Sequence, residues 1–220
     1  VSVRPAGAVR LLVAGRPRAL LTDVGQRLAE EYGYVALSLP HPDGVGATVP
    51  SLDWPSRSEL LGLRSDGDLT TAVLGLDGTA TIDEGARSLV DIGRAMGGEG
   101  SIVVIGVEPP LVDDGPSGSP ATTAADRTGL APVVREAANR LAPTVRVNGV
   151  RAAPLGNAAG PHWAILLRRP GTLDDVAAAA VFLLSEDARF VTGAVIPVDG
   201  GRSLYWRLGA LGDEAETDQA

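Results

Sequence analysis

The 220-residue chain contains no cysteine, and every one of its 19 basic residues is arginine. Without cysteine there is no disulfide, thiol nucleophile or thiolate-bound zinc. Without lysine there is no Schiff base, no lysine gripping a nucleotide phosphate and no lysine general acid or base. Imidazole is almost as scarce: His41 and His162 lie far apart and neither belongs to an H-x-x-x-H spacing, so no metal site is expected. Against those 19 cations stand 27 acidic residues, a net charge of −8, which argues against nucleic acid as a partner. No run approaches the roughly 18 apolar residues of a membrane span, and Val1 to Pro5 open no signal-peptide pattern. A cytoplasmic protein with no membrane partner is expected.

What the chain has is apolar content, 45% of residues, enough to bury one α/β domain. Residues 1–211 read as that domain and 212–220 as an acidic, frayed tail. Apolar runs rich in β-branched residues alternate with segments of helical periodicity, the pattern of a parallel sheet covered on both faces by helices. Strands are predicted at 9–14, 35–39, a short one ending near Leu52, 71–76, 101–105, 145–150 and 194–198. Helices are predicted at 20–32, 56–63, 82–96 and 124–141. A last helix is capped by Thr172, has Asp174 and Asp175 in its first turn, and turns Val176, Ala180, Leu183 and Leu184 inward. Residues 108–122 and 152–164 read as loops.

The C-terminal third carries Arg146-Val147-Asn148, then Arg169-Pro170-Gly171-Thr172-Leu173-Asp174-Asp175-Val176-Ala177, Phe182-Leu183-Leu184-Ser185, and Val191-Thr192-Gly193 leading to Val198-Asp199-Gly200-Gly201. In order and spacing these resemble the 3-oxoacyl-(acyl-carrier-protein) reductase branch of the short-chain dehydrogenase/reductase family. Arg27-Leu28-Ala29 and Arg140-Leu141-Ala142-Pro143 also look like that family's helix endings. The resemblance implies a three-layer, Rossmann-type, doubly wound fold with a mostly parallel seven-stranded sheet in the order 3-2-1-4-5-6-7.

Function does not follow from fold, and the expected site residues are missing. The family places G-x-x-x-G-x-G between first strand and helix, so that backbone approaches a pyrophosphate closely. The corresponding stretch here is Gly15-Arg16-Pro17-Arg18-Ala19-Leu20-Leu21, which keeps only the first glycine. Pro17 removes a donor, and Leu21 is expected to direct a branched side chain toward the phosphate. Arg16 and Arg18 could bind phosphate by charge, although turn arginines are more often solvated. The family's catalytic Tyr and Lys correspond to Thr123 and Arg127, and its serine's strand end reads Ile105-Gly106-Val107. A threonine hydroxyl has a pKa far above that of a phenol and is too short to replace it. The bend after the Asn-x-Val strand reads Ala152-Ala153-Pro154 instead of Pro-Gly.

Other candidates have plainer readings beside functional ones. Asp53 resembles the family's adenine-contacting aspartate, but also fits a turn before Pro55. His162 and Trp163 could line a pocket or anchor a loop. Asp126 and Arg127 could be an acid/base pair or a solvated ion pair. Leu130, Val133, Val134 and Ala137 recur at helical spacing, some expected to face the core and others a neighbouring helix.

The pattern points to a pseudo-reductase subunit that binds no cofactor itself and pairs with an active short-chain reductase holding NADPH, or self-associates. The partner would reduce a ketone or 3-oxoacyl thioester, and the Ala-, Gly- and Arg-rich composition fits a polyketide or fatty-acid setting. A non-redox enzyme built from Thr123, Asp126, His162 and Asp77 is the alternative, and a reductase holding cofactor through Arg16 and Arg18 is a second. The isolated chain is expected to bind NADH or NADPH no more tightly than about 1 mM. Calorimetric titration checks this, and a micromolar Kd for either cofactor overturns it.

Overall fold

Apolar runs that lack a polar face need burial on both sides, and the computed structural model shows how that is met. It describes residues 9–15, 18–32, 34–37, 70–76, 82–96, 99–108, 129–156 and 165–204. Among them are strands β1 (Val9–Gly15), β2 (Tyr34–Leu37), β3 (Thr71–Leu76), β4 (Gly100–Val107), β5 (Val145–Ala152) and β6 (Val195–Val198). The α-helices are α1 (Arg18–Tyr32), α2 (Ile82–Ala95), α3 (Leu130–Leu141) and α4 (Leu173–Leu184).

The sheet runs β2-β1-β3-β4-β5-β6, with every pairing parallel. These six strands occupy the places expected of them, and the strand predicted near Leu52 lies outside the described residues. Side-chain alternation divides the core in two. Ile102 and Val104 of β4 pack with Leu89 and Ile92 of α2 and with Leu130, Val134 and Leu141 of α3. Val103 and Ile105 point the other way, toward Leu21, Val24 and Leu28 of α1 and Val176, Ala180 and Leu183 of α4. Three layers result, as the alternating pattern predicts. No helix among the described residues is long and apolar enough to cross a membrane.

The family-like C-terminal motifs have mechanical roles. Arg146 reaches from β5 to the end of α4, donating from Nη1 to the Leu183 carbonyl at 2.8 Å and from Nη2 to the Ser185 and Leu184 carbonyls at 3.1 and 3.2 Å. A guanidinium suits the negative end of a helix whose last carbonyls have no intrahelical partner. Buried Asn148 donates to the Val191 carbonyl at 2.9 Å and accepts from the Ala194 N–H at 3.1 Å, which aligns β6 beside β5. Thr172 and Asp175 form a reciprocal capping box at the start of α4. Arg169 grips both Asp175 oxygens at 2.7 Å, and that hydrogen bonding holds the carboxyl well below its ordinary range.

Three expectations change. Helix α1 begins at Arg18, two residues earlier than predicted. The helix predicted over 124–141 begins only at Leu130, because Gly129 has φ of 62° and cannot continue it. Pro132 explains the break: inside a longer helix it would lack the N–H for Thr128 and clash with that carbonyl, whereas in a first turn it is harmless. Finally, Leu130, Val133, Val134 and Ala137 are all buried in the chain's own core, so none is left for a helix of another subunit. The outer face of α3 carries exposed Arg135 and Asn139, with Glu136 and Arg140 joined at 2.6 Å.

Substituting Thr172→Ala removes the side-chain half of the capping box and should cost about 1 kcal/mol of stability. A lower urea midpoint at unchanged slope checks this; an unchanged midpoint would show that Asp175 alone fixes the helix start.

Candidate functional site

In open parallel sheets ligands bind at the carboxyl ends of the strands, near the point where strand order reverses. Here the reversal lies at β1, flanked by β2 and β3. Gly15 is the last residue of β1 and pairs with Gly75 of β3. Only two residues separate it from Arg18, the first residue of α1, so the helix begins inside the stretch where the family spaces its glycines. Leu21 does not point outward as expected. It is 1% exposed and packs with Val24 and Leu28 in the core, because the third glycine position faces the sheet beneath the helix. Its effect is to put bulk where close helix-strand packing needs none, rather than to obstruct a phosphate directly. The described residues therefore do not supply a glycine seat for a pyrophosphate. Arg16 and Asp53 lie outside the described residues, and so does the side chain of Arg18.

The end of the serine's strand is clearer. Gly106 and Val107 end β4, where Val107 is half-buried against the core. A Cβ built on Gly106 would stand 3.1 Å from Leu130 Cδ2, so a side chain at 106 would need the first residue of α3 to give way. Gly106 also pairs in register with Arg151 of β5. Thr123, Asp126 and Arg127 lie outside the described residues, as do Asp77, His162 and Trp163. The break at Gly129 means that α3 itself does not carry positions 123 and 127.

The chemistry that the described residues do assemble was not anticipated. Glu108 follows β4, Arg151 lies near the end of β5, and Asp199 and Arg202 follow β6. Glu108 is 4% exposed and Arg202 is 2% exposed. Arg151 Nε lies 2.9 Å from Glu108 Oε1, Arg202 Nη1 lies 3.7 Å from Glu108 Oε2, and Arg151 Nη2 lies 3.8 Å from Asp199 Oδ2. Arg151 also donates to Ser203 Oγ at 3.3 Å. Burial pushes the Glu108 carboxyl above its ordinary value, even though both guanidiniums pull it down. Burial likewise lowers Arg202, with Glu108 and Asp199 opposing. A signal for this cluster was present in the sequence: Arg151 interrupts an apolar strand, and a charge at such a position requires a partner. Among the described residues no group of three or more His, Cys, Asp or Glu could hold a metal ion.

Residues 86–203 match the family described as enoyl-(acyl carrier protein) reductase. Among curated proteins the chain is similar to protein FixR of Bradyrhizobium diazoefficiens, 37% identical over 89 residues that cover 37% of this chain and 32% of FixR. It is also similar to the 3-oxoacyl-(acyl-carrier-protein) reductase MabA of Mycobacterium avium, 50% identical over 46 residues, 21% of this chain and 18% of MabA. The matched stretches thus span about a third or less of these relatives. A short-chain type dehydrogenase/reductase from Mycobacterium ulcerans shares the fold with a TM-score of 0.62 at 21% identity, over 93% of this chain and 92% of that one.

A buried carboxyl with a raised pKa makes stability depend on pH in a defined direction. Below the unfolded value both states hold the proton; as pH rises from 4.5 through the raised folded value, the unfolded chain releases it first and the folded state loses ground. Compared with Glu108→Gln, the wild-type chain should therefore lose relative stability across that window. Urea titrations of both proteins at stepped pH check this, and a difference that is constant with pH would overturn it.

Proposed function

Since this chain belongs to the short-chain dehydrogenase/reductase family, we propose that it is a non-catalytic member, a subunit that associates with an active reductase of the same fold. The observation that carries this reading is the lack of lysine anywhere in the chain. The family's proton donor is a tyrosine whose pKa a nearby lysine lowers, and Thr123 and Arg127 supply neither partner of that pair. Arginine is no equivalent: its planar guanidinium stays protonated and has a different shape from an ammonium.

The nucleotide seat supports the same conclusion. The family's cofactor is a nicotinamide dinucleotide, and Leu21 buried beneath α1 leaves no close-packed glycine turn for its pyrophosphate. On this reading NADPH is held by the partner, and this chain holds none. The motifs that remain family-like, Arg146, Asn148 and the Thr172 capping box, all serve packing. A subunit kept for association retains its scaffold while its chemistry lapses. The partner's reaction is reduction of a ketone or 3-oxoacyl thioester, in line with the activity named for MabA, and a 2:2 assembly would give each active subunit one such neighbour. The location is cytoplasmic, and a polyketide or fatty-acid setting suits an acyl-thioester substrate.

One observation favours a second reading, a non-redox enzyme. Glu108 is a buried carboxyl whose raised pKa suits proton transfer, and it sits at the carboxyl end of β4, the side of the sheet where this fold binds ligands.

The test separating the two is co-expression with reductases encoded nearby, purification through a tag on this chain, and light scattering. The subunit reading expects an active reductase to co-purify and to lose turnover when this chain is removed. Arg135→Glu with Asn139→Glu, on the outer face of α3, should weaken the complex at least about tenfold, roughly 1.4 kcal/mol, without changing this chain's melting. A stable monomer indifferent to every such reductase overturns the subunit reading.

A further inference from the structure

We propose that the cluster of Glu108, Arg151, Asp199 and Arg202 is a receptor for a small oxyanion, a carboxylate or a phosphate group. The starting point is incomplete hydrogen bonding. Arg202 Nε and Nη1 are buried without a hydrogen-bond partner. Proximity does not repair this: Arg202 Nη1 is 3.7 Å from Glu108 Oε2, and Glu108 is drawn instead to Arg151, whose Nε lies 2.9 Å from Oε1. Buried polar groups are rarely left so, and here two such donors belong to one guanidinium.

The carboxylates present cannot complete the arginines. Asp199 is committed to its own turn, with Oδ1 accepting from the Gly201 N–H at 2.9 Å and Oδ2 from the Ser203 N–H at 3.2 Å. Glu108 lies 2.9 Å from Arg151 and 3.7 Å from Arg202. What would complete Arg202 is an acceptor, and two N–H groups of one guanidinium suit the paired oxygens of an oxyanion rather than a metal or an amine. Its position at the carboxyl ends of β4, β5 and β6 is where this architecture receives ligands. The four side chains are formally neutral together, so an added anion is best accommodated if Glu108 takes up a proton, which its buried setting favours. This inference does not rest on the subunit reading, since an oxyanion here needs neither partner nor nicotinamide.

The experiment uses the full chain, titrated by calorimetry with sodium phosphate and separately with sodium acetate, against sodium chloride at matched ionic strength. Saturable binding with proton uptake is expected for one or both oxyanions, and the arm that saturates identifies the headgroup. Arg202→Met should abolish it, with circular dichroism confirming the fold; should that variant not fold, Arg202→Lys keeps the charge and should weaken binding. Glu108→Gln should instead strengthen binding, because it removes a competing negative charge, a sign that a purely structural role would not produce. Responses equal to those in chloride, or undiminished saturation in the folded Arg202 variant, would overturn the proposal and leave the cluster to ordered water. Neither outcome depends on whether a reductase co-purifies.

Discussion

Arg146 holds together the half of the molecule that most resembles the family. From β5 it donates to three carbonyls at the end of α4, and the neighbouring Asn148 fixes the chain that leads into β6. These bonds join one strand, one helix and the next strand. Losing the arginine would leave the Leu184 carbonyl without its donor, whereas Leu183 would keep the Ser101 hydroxyl and Ser185 the Ala188 N–H; a lost bond of this kind costs roughly 1–3 kcal/mol. Selection for folding alone is enough to preserve such residues, so their survival does not imply that catalysis survived.

Two positions near the family's site belong to the packing here. Leu130 lies against the backbone of Gly106 at the end of β4, and a side chain at 106 would need it to shift. Leu21, beneath α1, turns a position that calls for a small residue into part of the apolar core. Burial of an aliphatic side chain is worth roughly 1.5–3 kcal/mol.

Most of the fold was legible because its signals are local. β3 occupies the residues its apolar run predicts, and Thr172 caps α4 as its side chain and the acidic first turn require. The start of α3 was misplaced for an equally local reason: Gly129 and Pro132 both oppose a helix through 128, and the helical periodicity of the residues that follow was extended back across them. The charged cluster was illegible for the opposite reason. Glu108, Arg151 and Arg202 are distant in sequence and meet only because β4, β5 and β6 are adjacent in the sheet. Arg151 alone announced that a partner was needed, without naming it.

The cluster and the scaffold share a part. Asp199 sits in the turn after β6 and binds the backbone of Gly201 and Ser203, while Arg151 lies one strand away on β5, which also carries Arg146. In that turn Gly200 and Gly201 have φ of 60° and 82°, and side chains added to them would strike Ile165 and Leu166. The backbone there has little freedom to adjust. A change in charge at Glu108 or Arg202 falls on the carboxyl ends of β5 and β6, away from the amino-terminal part of β5 and the approach to β6, where Arg146 and Asn148 make their bonds. Coupling between the proposed oxyanion site and the proposed subunit role would require differential binding to two arrangements of those strands.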